Sequence, residues 1–260
     1  MKMTMKSIKF TRVFTLILAL AATASRAADK DGTDILHFFT RTAMTNAGVI
    51  TNASGSVDVR KNQQGNASHQ DLAITVKGLD ANTTYQLLAL VNEDTNLTQV
   101  AGFTTDIKGR AALRYRDFGN GQGMGHGRLA LPSALNPVNL IRKLAIFNSS
   151  PQAVLSADLT TPNRLQYLIK RDLDTNGVDS LLRIKATVKE TQFRLTASGL
   201  LRTNDYLLVL NGSVVQTNTT NAKGQLAIKS LMQSPGDILD VRTVALRDSA
   251  SNSVLTTTLP

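Results

Sequence analysis

The 260-residue chain holds 29 Lys and Arg against 19 Asp and Glu, three His, and neither Cys nor Trp. Without thiols, disulfide staples and thiol catalysis are excluded, so each domain must stand on its own hydrophobic core. The formal charge of +10 overstates the basicity: residues 1–27 carry five Lys or Arg and no acid, which leaves +5 for the rest, too mild a bias to point to nucleic acid.

The N-terminal stretch reads as an export signal. Lys2, Lys6, Lys9 and Arg12 precede an apolar run at residues 14–22 (FTLILALAA), and small residues follow at 22–24 (ATA) and 25–27 (SRA). A positive region, a short apolar region and a small-residue cleavage site are the parts of a secretory signal peptide, here residues 1–27. The apolar run is too short to span a bilayer, and no later stretch offers a transmembrane segment. The mature chain is therefore expected to be periplasmic or secreted.

From residue 71 onward the chain repeats itself. DLAITVKGLDANTTYQLLALV at 71–91 aligns with QFRLTASGLLRTNDYLLVL at 192–210. TTDIKG at 104–109 aligns with TTNAKG at 219–224, and residues 142–159 align with 242–259. Three blocks in the same order predict two copies of one domain, residues 28–160 and 161–260, divided near Pro162. Within the blocks the apolar period is two: Leu72, Ile74 and Val76 in the first copy, Phe193, Leu195 and Ala197 in the second. That period predicts strands with one buried face. Residues 85–91 and 206–210 are apolar on both faces, as covered strands are. Gly109 and Gly224 mark tight turns, and residues 148–151 and 248–252 mark the last hairpins. No window predicts a long amphipathic helix. The expected fold is all-β: two tandem Greek-key β-sandwich domains after the signal peptide.

The spacing of Leu79, Thr83 and Tyr85 resembles the stretch before strand F of fibronectin type III domains, and TTDIKG is similar to turns of secreted transthyretin-like and adhesin repeats. The resemblance is to tandem immunoglobulin-like repeats of secreted bacterial proteins. It implies an immunoglobulin-like sandwich with a tyrosine corner, in which the Tyr hydroxyl ties a crossing loop to the sheet. Tyr206 would repeat that role in the second copy, with Asn204 in place of the Thr.

Two stretches are candidate ligand sites. Between Gly109 and Arg142 the first copy is 15 residues longer than the second between Gly224 and Arg242. The excess contains a glycine-rich insertion at residues 117–132 (DFGNGQGMGHGRLALP). Met124 stands where a dinucleotide-binding loop needs Gly, and no G-K-S/T follows, so the insertion reads as an exposed loop. Beside it, Lys108, Arg110, Arg114 and Arg116 share one parity and Arg128 follows the loop. One sheet face lined this way would hold an anionic ligand such as a glycan, unless cross-strand acids neutralise it. In the second stretch, 171–180 (RDLDTNGVDS), Asp172, Asp174 and Asn176 with Gly177 match the first half of a calcium loop, and Asp179 partly replaces a missing ligand. The twelfth position, where such a loop carries Glu, is Arg183.

Catalytic signals are sparse. His37, His69 and His126 are scattered, with neither a zinc-protease nor a nucleophile-elbow motif. The expected function is an exported, non-catalytic binding or structural module that takes a protein or glycan partner and needs no cofactor. The alternatives are an envelope hydrolase using a carboxylate pair, which needs no local spacing, and a calcium-stabilised adhesive segment.

Overall fold

A computed structural model describes residues 34–92, 94–117, 128–173, 175, 177–232 and 238–259. Residues 1–27, where the export signal is expected, and the glycine run at 119–127 lie outside them. The chain is all-β, and its sheets curl into a half-barrel. Among the described residues, helical geometry is confined to 3-10 turns at Ser133–Leu135 and Val138–Leu140 and a short helical segment at 238–239.

The first half contains β1 (Ile35–Asn46), β2 (Ser54–Gln64), β3 (Ala67–Lys77), β4 (Thr84–Val91), β5 (Thr98–Thr104), β6 (Ala111–Asp117), β7 (Leu129–Ala130), β8 (Ile141–Phe147) and β9 (Ala153–Asp158). The second contains β10 (Arg164–Asp172), β11 (Asp179–Thr187), β12 (Thr191–Ser198), β13 (Asp205–Leu210), β14 (Ser213–Thr219), β15 (Leu226–Met232), β16 (Thr243–Asp248) and β17 (Ser253–Thr258). In the first half the layers run β1-β2-β3-β6 and β5-β4-β8-β9; in the second they run β10-β11-β12-β15 and β14-β13-β16-β17. With the two-residue β7 set aside, the order within each layer is the same in both halves; the first half adds a short pairing of β1 with β9, at Thr45↔Ser156 and Asn46↔Leu155, that β10 and β17 lack. β7 comes from the end of the glycine-rich insertion and pairs in parallel with β6 at the sheet edge.

The halves are fused rather than strung on a linker. β1 pairs antiparallel with β10 from Ile35↔Lys170 to Arg41↔Arg164. The layer β15-β12-β11-β10 thereby continues into β1-β2-β3-β6 as one surface. Its inner side carries the alternating apolar residues, among them Val57, Val59, Leu72, Ile74, Leu182, Ile184, Phe193 and Leu195, all buried. The outer side carries their polar neighbours, and this side presents the charge described below.

Matched residues of the two halves make matched bonds. The Tyr85 hydroxyl accepts from the Asp80 N–H at 3.1 Å, and the Tyr206 hydroxyl accepts from the Leu201 N–H at 3.1 Å. Gly109 and Gly224 sit at φ +66° and +70°, where a Cβ would lie 1.9 Å from the Leu79 carbonyl oxygen and 2.2 Å from that of Leu200. Only Gly fits such a left-handed turn pressed against a neighbouring backbone.

Candidate functional site on the outer sheet face

The first-half cations are dispersed or neutralised. Lys108 and Arg110 belong to the turn before β6, where the Asp106 carboxylate accepts both of their backbone N–H groups at 2.8 Å. Those bonds hold the Asp106 carboxyl below its ordinary range. Arg114 and Arg116 do project outward from β6. Arg116, however, faces Asp71 across β3 and forms an ion pair with it, while His69 Nε2 meets the same carboxylate at 2.6 Å. On neighbouring strands Arg41 pairs with Asp58 at 2.5 Å, and Arg60 lies over the Phe39 ring at 5.6 Å from its centroid. Arg114 and Arg128 are exposed. Of the five predicted cations, Arg116 is thus neutralised by a cross-strand acid, and Lys108 and Arg110 lie on a turn rather than on the sheet face.

The second half does the opposite. The registers Lys170↔Arg183, Arg183↔Arg194 and Arg194↔Lys229 place four cations side by side on four consecutive strands. Each is flanked along its strand by buried residues: Ile169 beside Lys170, Leu182 and Ile184 beside Arg183, Phe193 and Leu195 beside Arg194, Ile228 beside Lys229. The four therefore point outward; Lys170 is half-buried and the other three are exposed. At a strand spacing of about 4.8 Å the row is roughly 14 Å long. None of the four forms an ion pair among the described residues. Lys185, two residues along β11 from Arg183, adds a fifth outward cation. Directly opposed like charges destabilise a sheet, so the row works against folding unless an external anion neutralises it.

Beside the row lies an open groove of about 560 Å³, lined by Asp172, Asp179, Thr196, Ser198 and Gln225 with parts of neighbouring residues. Asp172 closes β10 and Asp179 opens β11, so two members of the predicted calcium set share this groove. Asp174 and Asn176, the other two, lie outside the described residues. Between them the chain turns tightly: the Val178 N–H donates to the Thr175 carbonyl at 2.7 Å, and Gly177 takes φ +84°.

A further buried charge lies in the first half. Lys61 shares the inward parity of Val57 and Val59, is only 6% exposed, and donates to Asn139 Oδ1 at 3.1 Å. Burial without a carboxylate partner lowers the affinity of its amine for a proton. Its in-phase position among valines was the signal in the sequence. Of the histidines, His37 meets Asn62 Oδ1 at 3.0 Å, and His126 lies outside the described residues.

Comparison with protein-family models gives no match, and comparison with curated proteins finds no relative.

Proposed function

We propose that the protein is an exported, non-catalytic binding module that takes anionic ligands on the open outer face of β10, β11, β12 and β15. The observation that carries this reading is the row Lys170, Arg183, Arg194 and Lys229, four cations in register with no acid among them. Export is supported by the positive, apolar and small-residue segments of residues 1–27. The immunoglobulin-like repeat reading is supported by the shared strand order within the layers and by the two tyrosine hydroxyl bonds.

The test is a charge-matched comparison. Arg183→Gln/Arg194→Gln removes two charges from the row; Arg202→Gln/Lys223→Gln removes two exposed charges elsewhere. With residues 28–260 and dextran sulfate as probe, the first variant should lose at least tenfold in affinity and the second less than twofold. Equal losses would show that net charge alone attracts the polymer and would reject the reading.

One observation favours a second reading. Asp172 and Asp179 line one groove, and a carboxylate pair is what a glycoside hydrolase needs. Release of reducing ends from a polysaccharide, abolished by both Asp172→Asn and Asp179→Asn, would establish it in place of simple binding.

A further inference from the structure

Building on the anion-binding reading, we infer that the ligand is a linear acidic polysaccharide carrying a carboxylate on each sugar, laid across the strands of the second half. Three observations converge on this class.

The first is the row itself. Each strand supplies one cation, and successive strands are about 4.8 Å apart. The site therefore presents charge at regular short intervals along a line perpendicular to the strands. A polymer with one charge per unit matches that line better than a compact anion, which would engage one or two of the four and leave the others opposed.

The second is the groove running alongside. Moving two or four residues along each strand from the row reaches Asp172 on β10, Asp179 at the start of β11, Thr196 and Ser198 on β12, and Gln225 just before β15. Hydroxyls, an amide and carboxylates are the donors and acceptors that sugar hydroxyls require. The two acids also work against polymers charged on every face, because a phosphate or sulfate pressed into the groove would meet Asp172 and Asp179. Each sugar of a uronide chain carries a single carboxylate beside several hydroxyls, which suits a surface with cations on one side and neutral and acidic groups on the other.

The third concerns aromatic groups. Single-stranded nucleic acid is held by base stacking on aromatic side chains along a basic groove. The aromatics of these strands, Tyr167 and Phe193, point into the core and are buried. The described outward residues of β10, β11 and β12 are Arg, Lys, Gln, Asp, Leu, Thr and Ser. The face is a charge and hydrogen-bonding surface rather than a stacking platform.

The row ends at Lys229 on the edge strand and at Lys170, whose neighbour across β1 is Ile35. Four sugars therefore fill it.

The test uses residues 28–260 and fluorescently labelled oligogalacturonides of two to eight sugars, with their methyl esters, dextran sulfate and oligothymidylate as comparison probes. The free-acid oligomers should bind with affinity that rises to about four sugars and then levels, and the methyl esters should bind at least tenfold more weakly. Thr196→Val/Ser198→Ala should weaken oligogalacturonide several-fold while leaving dextran sulfate unaffected. Arg194→Gln should weaken both. If dextran sulfate or oligothymidylate binds as tightly as an oligogalacturonide of equal charge, and the groove variant changes nothing, the polysaccharide assignment fails while the anion-binding face stands. If no polyanion binds, both fail.

Discussion

Replacing Arg194 by Glu should make the protein more stable, although it reverses a charge on a regular strand. Arg194 lies directly opposite Arg183 on one side and Lys229 on the other. The substitution turns two like-charge pairs into two opposite-charge pairs. Cross-strand pairs are worth roughly 0.2–1 kcal/mol each, with like charges unfavourable. Because Arg183, Arg194 and Lys229 are all exposed, solvent screening places the effect toward the lower end, about 1 kcal/mol for the two pairs together. In a chain of this size that corresponds to a rise of roughly 2–4 °C in Tm. Arg194→Gln, which only removes the repulsion, should give about half of it. The assay is thermal unfolding of residues 28–260 by circular dichroism at 10 mM and 1 M sodium chloride. At 1 M the screening length falls to about 3 Å, and most of the gain should vanish. Arg183→Glu/Arg194→Glu should be less stable than the two single gains added together, because it recreates a like-charge pair. A fall in Tm for Arg194→Glu, or a gain indifferent to salt, would refute the claim that these four side chains repel one another.

Lys61→Met should stabilise the protein by about 1–3 kcal/mol at neutral pH, since a buried amine held by one amide gives way to an apolar chain of similar length. The lowered proton affinity of Lys61 means that the unfolded chain binds more protons between the folded and unfolded pKa values. Wild-type stability from this group should therefore rise with pH from the lowered folded value toward 10.5, and denaturant titrations should show that rise absent in Lys61→Met. Tyr85→Phe and Tyr206→Phe should each cost about 1–3 kcal/mol by leaving a loop N–H without its partner, measured by urea unfolding. Gly224→Ala should cost about 3 kcal/mol or more, because it combines a left-handed φ with a Cβ driven against the Leu200 carbonyl; Gly212→Ala, at φ +82° with open space around it, should cost less in the same assay.

Much of the architecture was legible because it rests on local chemistry. The two-residue period of Leu72, Ile74 and Val76 assigns an inward face whatever the neighbours, and the order of the three repeated blocks carries the matched turns and tyrosines. The charge landscape was not legible, because it depends on register between strands far apart in sequence. Arg116 looks like a free cation until β3 brings Asp71 opposite it. Lys170, Arg183, Arg194 and Lys229 each look like an ordinary outward residue until four strands align them. The pairing of β1 with β10 was hidden for the same reason: Pro162 and its polar surroundings resemble a linker, and nothing local tells Ile35 that its partner is Lys170. The glycine-rich insertion was recognisable by its excess length over the second copy, yet the short edge strand at Leu129–Ala130 exists only through pairing with β6.

The central claim is that anionic ligands settle on the second-half row and not on the arginines beside the insertion. Hydrogen–deuterium exchange of residues 28–260, with and without saturating oligogalacturonide, locates the ligand without presuming its site. The account predicts new protection in residues 168–172, 181–185, 192–198 and 226–230 and none in 108–117. Protection at 108–117 with the second-half strands unchanged would contradict it.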